Sequence, residues 1–155
     1  MKRLLNNINK FLQYFSVACI GAMLVIIFIQ VIARYVFHHS LTFSEELSRY
    51  LFVYVVFFGT AVVSKNNGHI MMEALTNQLK GKLAKYTKII AYFFTIIFMI
   101  IIFYYGIKMM IISAPQVSPA LRISMAYVYL AMPVSSFIMI VNLLLLVYDT
   151  SKLKD

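Results

Sequence analysis

Charged residues, and acidic ones above all, are scarce in this sequence of 155 residues. Only 12% of the residues are charged and five are acidic, whereas 63% are hydrophobic. Soluble domains average about 25% charged and about 45–50% apolar residues. Because so few charges cannot cover a surface that faces water, the sequence predicts a membrane protein with a surface that faces lipid. The length fits one domain over 1–155.

Cysteine and histidine are also rare, and this excludes several kinds of site. Cys19 is the single cysteine and lies in an apolar run, so neither a disulfide framework nor a cysteine-based metal site is expected. His38, His39 and His69 lie outside the apolar runs and cannot supply axial haem ligands in the membrane. No nucleophile triad or phosphate-binding loop is visible. We therefore expect no enzyme activity, no cofactor and no metal.

Four stretches of the sequence are apolar and free of charge, at 11–33, 50–64, 89–107 and 123–148. The second has only 15 residues, so its span must include the preceding turn at 45–49. A hydrocarbon core about 30 Å thick takes roughly 20 helical residues, and lipid cannot satisfy free backbone groups. The first stretch is longer than the about 7–15 apolar residues of a signal peptide, so we interpret it as a retained span. The expected fold class is an all-α integral membrane protein with four transmembrane helices. The approximate spans are 11–35, 45–64, 89–108 and 119–148.

The last predicted span carries signals for a helix start and for a kink. Ser118 is a predicted N-cap, and Pro119 suits the first helical position, where its missing N–H is harmless. Pro133 falls inside the same predicted helix. Because its ring removes a backbone hydrogen bond, we expect a kink there.

The basic residues indicate the orientation of the chain. Four spans put both termini and the middle connection on one side, which holds ten of the fourteen Lys and Arg residues. The positive-inside rule makes that side cytoplasmic. We therefore predict a multi-pass membrane protein with both termini in the cytoplasm; in a bacterium it would lie in the inner membrane, with the other connections facing the periplasm. Since the basic residues sit in short runs between apolar stretches, we expect no nucleic-acid partner.

The middle connection has a periodicity of its own. Apolar residues recur at spacings of three and four over about 70–87, which predicts an amphipathic helix on the cytoplasmic surface. Each lysine near that surface would attract anionic lipid by roughly 1 kcal/mol. A soluble loop with chance periodicity is the alternative. The predicted lipid-interface residues are Lys80, Lys82, Lys85 and Lys88.

The densest polar feature lies between the first two stretches. Thr42 and Glu45 fit a capping box, Ser44 is a second possible cap, and Glu45 and Arg49 have the spacing of a helical ion pair. One interpretation is a self-neutralising helix entrance. The other is a subunit or docking interface at the periplasmic edge, because charges beside apolar surface need partners. Its candidate residues are Arg34, Glu45, Glu46 and Arg49.

The middle of the spans holds no charged residue. Transporters and pumps keep ionisable groups or broken helices near the midplane, where substrates and ions bind. This absence disfavours a carrier that works alone, such as a small proton antiporter, and favours an accessory subunit. An autonomous four-helix carrier acting as a homodimer is the alternative.

Several short blocks, in order and well spaced along nearly the whole chain, form a recognisable pattern. They are RYVF at 34–37, SEELSRY at 44–50, GH at 68–69, PAL at 119–121, AYVY at 126–129 and Pro133. Together they resemble the small (Q, DctQ-like) membrane subunit of tripartite ATP-independent periplasmic (TRAP) transporters. The resemblance marks Gly68, His69 and Pro133 as a structural motif.

The resemblance implies a function that composition alone does not name. In that family a periplasmic substrate-binding protein delivers an organic acid, such as sialic acid or a C4-dicarboxylate, to a membrane pair. The large (M) subunit moves the substrate, usually with a sodium gradient. We therefore expect a non-catalytic small subunit that braces the scaffold of the large one and helps dock the binding protein.

Overall fold

The fold is described from a computed structural model, for residues 2–38, 41–65 and 82–152. In this part of the chain the regular structure is helical. The helices are α1 (Lys2–Tyr35), α2 (Thr42–Lys65), α3 (Lys82–Ile112), α4 (Met125–Tyr129) and α5 (Ala131–Lys152). Four segments, namely α1, α2, α3 and α4 with α5, are long and apolar enough to cross a membrane. The predicted all-α class with four candidate spans is confirmed.

The helices pack side by side in the order α1, α2, α5, α3. A small core forms where α1, α2 and α5 meet, with one tyrosine from α3. Its buried residues are Leu12, Phe58, Ala61, Tyr92, Met139 and Leu143. Most other large apolar side chains, such as Phe28 and Phe94, point outward. An apolar exterior is expected of helices that lie in lipid, where burial of apolar surface gives no advantage.

Side-chain contacts define two ends of the bundle. At one end Lys65 donates to Asn6, so α2 ends beside the start of α1. We call this the terminal end. The opposite end, which we call the loop end, carries residues 36–38 and the loop 113–124. There Arg34 of α1 lies 3.5 Å from Glu45 of α2, between Nη2 and Oε1.

The last span begins later than Ser118 and Pro119 predicted. Ser124 is the N-cap of α4, and its hydroxyl oxygen accepts from the Ala126 N–H at 3.3 Å. Residues 113–124 instead form a loop, in which Val117 and Ser124 make an isolated antiparallel bridge. The expectation of a cap at Ser118 was therefore wrong. The chain does not begin a helix at Ser118 because the residues after it contact α2, as described below, and are held in a turn.

Pro133 lies in the first turn of α5, and the helical run is interrupted at Leu130, just before it. Proline cannot donate a backbone hydrogen bond, and its ring crowds the preceding turn. The interruption is slight, because Leu130 keeps α-helical dihedrals of φ −58° and ψ −27°. Leu130 N–H donates to the Ala126 carbonyl at 2.9 Å, and Val134 N–H to the Leu130 carbonyl at 3.3 Å. The helical dihedrals thus continue from α4 into α5, and the expected kink at Pro133 stays a prediction.

The predicted amphipathic helix at about 70–87 lies mostly outside the described residues, as do Gly68, His69 and Lys80. Where the description resumes, 82–112 is one continuous helix. Lys82, Lys85 and Lys88 therefore belong to the first turns of α3, and no separate helix is seen in that part. Their contacts with lipid stay a prediction.

Helices α3 and α5 come close together at Gly106. A Cβ atom added there would lie 3.1 Å from the Cβ of Met132 and 3.2 Å from the Cδ of Pro133. At Gly21 nothing lies within 4 Å of an added Cβ. The Gly106 contact involves a rigid proline ring, so it cannot relax by rotating a flexible side chain.

We expect Gly106→Leu to lower the free energy of unfolding by about 1 kcal/mol. Overpacking costs about 1–3 kcal/mol, and the better helix propensity of leucine returns roughly 0.8 kcal/mol. Gly21→Leu is the matched control and should be neutral or slightly stabilising, because it gains propensity without a clash. Steric trapping of the isolated chain in bicelles measures both. Equal effects of the two substitutions would contradict the close contact.

Candidate functional site at the loop end

The carboxylate of Glu46 connects α2 to the loop 113–124. The side chain is buried, with 8% of its surface exposed. Its Oε1 accepts from the Tyr50 hydroxyl at 2.5 Å, and its Oε2 accepts from the backbone N–H of Ala120 at 2.8 Å and of Leu121 at 2.9 Å. Bonds to a charged acceptor are stronger than neutral ones and offset lost hydration. We call Glu46, Tyr50, Ala120 and Leu121 the Glu46 clamp.

Further contacts join α2 to the region after the loop. The Tyr50 hydroxyl also lies 3.3 Å from the sulfur of Met125, and the Tyr54 hydroxyl donates to the Tyr127 carbonyl at 2.5 Å. The Ser118 hydroxyl is buried beside the Glu46 carboxylate but outside hydrogen-bonding geometry. Both the loop and the short helix α4 are therefore fixed against α2.

The loop 113–124 is also closed by its own backbone. Ser118 N–H donates to the Ile123 carbonyl at 2.9 Å, Arg122 N–H to the Ser118 carbonyl at 3.1 Å, and Met125 N–H to the Gln116 carbonyl at 2.9 Å. Arg122 has φ 52°, a left-handed conformation that is uncommon outside glycine. Its side chain is exposed. The loop is thus a defined shape that presents an arginine.

A second polar contact joins α1 to α2. Glu45 Oε1 accepts from the Gln30 side chain at 3.0 Å and lies 3.5 Å from Arg34 Nη2. The Arg34 and Glu45 side chains are 57% and 44% exposed, so the ion pair contributes about 0–1 kcal/mol. The ion-pair partner seen for Glu45 is Arg34 on α1, not Arg49 on its own helix as the spacing predicted.

The start of α2 differs from the predicted capping box. Thr42 is already the first residue of the helix, and the Ser44 hydroxyl donates to the Leu41 carbonyl at 2.6 Å. Neither residue is therefore the cap, and the prediction for Thr42 and Ser44 was wrong. The spacing rule fails because Glu45 turns toward α1 and Glu46 toward the loop 113–124.

The four charged residues of the predicted interface thus occupy three different environments. Arg34 and Glu45 form an exposed pair, Glu46 is buried within the chain, and Arg49 is exposed. Their contact with another chain stays a prediction. Exposed residues could take part in it directly, and a buried residue only indirectly. Arg34, Glu45 and Arg49 are accessible to a partner. Glu46 is buried, so any effect on a partner would pass through the loop 113–124, which its carboxylate contacts.

Sequence reasoning missed a buried amide pair near the terminal end. Asn9 and Asn142 each donate to the side-chain oxygen of the other at 3.0 Å, and only 2% and 3% of their surfaces are exposed. Asn9 also donates to the Leu5 carbonyl at 2.8 Å, and Asn142 to the Ala61 carbonyl at 3.1 Å. The available signal was Asn142 itself, because an amide within an apolar span seeks a partner helix.

A cleft of about 170 Å³ lies between α2, α3 and α5. Among the described residues, its lining is apolar apart from three hydroxyls and includes no ionisable side chain. Thr60 donates to the Val56 carbonyl at 2.6 Å, and Ser135 and Ser136 donate to the Met132 carbonyl at 3.0 and 2.6 Å. The hydroxyls are therefore engaged within their own helices. The cleft offers a polar solute little recognition.

The described residues contain no group of three or more His, Cys, Asp or Glu side chains that could hold a metal ion. What the loop end offers is a surface for contact, built from a fixed loop and several exposed charges. Near the terminal end, the Asn9–Asn142 amide pair joins α1 to α5.

Comparison with known proteins identifies a family. The profile described as "Tripartite ATP-independent periplasmic transporters, DctQ component" matches residues 23–152. The chain is 33% identical over 129 residues to a TRAP transporter small permease protein of Haemophilus influenzae, covering 83% of this chain and 78% of that protein. The family match contains every residue of the Glu46 clamp.

Two longer proteins are also similar. One is the sialic acid TRAP transporter permease protein SiaT of Haemophilus influenzae, 28% identical over 132 residues, which are 85% of this chain and 21% of that protein. The other is the isethionate TRAP transporter permease protein DctMQ of Oleidesulfovibrio alaskensis, 29% identical over 143 residues, which are 87% of this chain and 22% of that protein.

Proposed function

The chain belongs to the DctQ family of TRAP transporter components as a small permease subunit, and we propose that it braces a large (M) subunit and helps dock a substrate-binding protein. One observation carries this proposal. Away from their ends, the described spans contain no Asp, Glu, Lys, Arg or His side chain, and the cleft between α2, α3 and α5 is apolar. A subunit of this kind can support transport without binding the cargo.

The longer relatives support a large-subunit partner. This chain covers only 21% and 22% of SiaT and DctMQ, whose names describe whole permease proteins. The remainder of each relative has no counterpart in this chain. We propose that this remainder corresponds to the large subunit, and that the outward apolar faces of the four spans pack against that subunit or lipid.

The cargo proposed is an organic acid. The names of the two longer relatives specify sialic acid and isethionate, which are both organic anions. A C4-dicarboxylate belongs to the same chemical class. Selection among such acids would reside in the partners, and a sodium gradient would drive import.

The excess of basic residues on one side supports the proposed orientation. Ten of the fourteen Lys and Arg residues fall on the side of the termini, which we place in the cytoplasm of a bacterium. The loop end, with the loop 113–124, then faces the periplasm across the inner membrane. A periplasmic binding protein would approach this end.

Reconstitution tests the proposal. Proteoliposomes would contain the large subunit with or without this chain, the binding protein outside, and an imposed sodium or proton gradient. We expect uptake of labelled sialic acid, isethionate or succinate only when both membrane subunits and the binding protein are present. Full uptake without this chain would refute the bracing role. Uptake by this chain alone would support the autonomous homodimeric carrier instead.

A further inference from the structure

We propose that Arg122 contacts a carboxylate on an acidic surface of the substrate-binding protein, and that Glu46 is the positioning residue that holds the loop 113–124 in the shape that presents Arg122. The proposal rests on the docking role above and names the residue and the chemistry of the contact.

The first support is the fixed shape of the loop. The Glu46 carboxylate binds the N–H groups of Ala120 and Leu121 at 2.8 and 2.9 Å, directly before Arg122. The Arg122 N–H is itself bonded to the Ser118 carbonyl at 3.1 Å. A segment that is ordered in the free protein loses little conformational entropy on binding. The loop is therefore suited to recognition without rearrangement.

The second support is the identity of the residue at the strained position. With φ 52°, position 122 has a conformation that glycine adopts readily and an arginine does not. The Arg122 side chain is exposed, so nothing in the described chain requires its size. Strain of this kind persists where surrounding contacts determine it, and it often marks functional sites.

The third support is the charge balance at the loop end. Of the three acidic residues that the structure describes, Glu45 and Glu46 lie at this end and Asp149 lies near the other end of α5. Glu45 is engaged by Arg34 and Gln30, and Glu46 by the clamp. Arg122 is therefore a cation without a carboxylate partner among the described residues. The planar guanidinium group pairs with a carboxylate through two parallel hydrogen bonds.

The test measures binding of the purified binding protein of the same transporter to the two-subunit membrane complex. The complex is held in nanodiscs of phosphatidylcholine, with and without phosphatidylglycerol, at low and high salt. The variants are Arg122→Glu, Arg122→Gly and Lys108→Glu. Lys108 is an exposed cation on the same side, 4.8 Å from the Tyr104 ring centroid, so its reversal is a matched change of charge.

We expect Arg122→Glu to raise Kd about tenfold or more and Lys108→Glu by less than about threefold, because a direct contact outweighs a distant charge. Arg122→Gly should raise Kd several-fold while leaving thermal stability equal or higher, because glycine suits the left-handed backbone. This variant separates the loss of a contact from the loss of structure. Equal effects of Arg122→Glu and Lys108→Glu would overturn the proposal in favour of general electrostatic attraction.

A lipid contact would give a different pattern. If Arg122→Glu weakened binding only in nanodiscs with phosphatidylglycerol, the arginine would be serving a lipid headgroup, and the proposal would be wrong. Binding by the wild-type complex with no change in Arg122→Glu would refute the contact alone. No binding by the wild-type complex would refute the docking role and this contact with it.

The positioning role of Glu46 has its own readout. In the Glu46→Ala background, Arg122→Glu should change Kd by less than about threefold, because the loop no longer presents residue 122 in one place. A full tenfold effect in that background would show that Glu46 does not position Arg122. Should Glu46→Ala fail to assemble, Glu46→Gln provides the same comparison with one acceptor oxygen retained.

Discussion

Glu46→Ala is expected to lower the free energy of unfolding of this chain by about 2–4 kcal/mol. The substitution leaves the N–H groups of Ala120 and Leu121 and the hydroxyl of Tyr50 without their shared acceptor. Each bond to a charged group contributes about 1.5–3 kcal/mol, and a buried donor left unpaired costs about 1–3 kcal/mol. The three contributions are not additive, because all three depend on one carboxylate.

The neighbouring carboxylate supplies the control. Glu45→Ala removes an exposed pair with Arg34 and should cost less than about 1 kcal/mol. Steric trapping in bicelles gives both free energies, and hydrogen exchange should show faster exchange of the 113–124 amides in Glu46→Ala alone. Similar losses in the two variants would mean that the Glu46 clamp contributes no more than a surface charge does.

The helices of this protein could be predicted from its sequence because lipid offers no hydrogen-bond partners to the backbone. An uncharged stretch of sufficient length has few alternatives to a helix, since its N–H and C=O groups must pair within the segment. The ends of the helices are less constrained. Ser118 and Pro119 satisfy the chemistry of a helix start, yet the chain forms a turn there because Glu46 engages the next two N–H groups.

The sequence predicted which charged residues form the candidate site, but not which partners they contact. The charges at 34–49 are visible in the sequence as the densest polar feature, and local spacing suggested that Glu45 would pair with Arg49. The observed partners lie on other segments, since Glu45 meets Arg34 on α1 and Glu46 meets Ala120, 74 residues away. Spacing rules describe one helix at a time and give no information on such distant partners.

The amide pair shows a related limit of local reasoning. Asn9 and Asn142 are 133 residues apart, and neither belongs to a recognised motif. An amide is costly alone in an apolar environment, so Asn142, inside the predicted span 119–148, signals a partner, whereas Asn9 lies outside the predicted span 11–35. The identity of the partner follows only from the packing of α1, α2 and α5.

Asn142→Leu is expected to lower the free energy of unfolding by about 1–3 kcal/mol. The substitution leaves the Asn9 amide buried without its partner and removes the bond to the Ala61 carbonyl. An unsatisfied buried polar group costs about 1–3 kcal/mol. Leucine has the same number and branching of side-chain heavy atoms as asparagine, but its methyl groups are larger, so overpacking contributes to the loss. Asn7→Leu, at an exposed position of α1, is the control and should change stability by less than about 0.5 kcal/mol.

Combining Asn9→Leu with Asn142→Leu decides whether the two amides act as a pair. Replacing both partners with apolar groups leaves no orphaned donor, so the double variant should cost less than the sum of the single variants. The coupling expected is about 1 kcal/mol, within the range measured for hydrogen bonds between membrane helices. Steric trapping of the two single variants and the double variant completes the cycle. Simple additivity would mean that the amides stabilise the bundle separately, through the carbonyls of Leu5 and Ala61, and do not hold α1 to α5 as a unit.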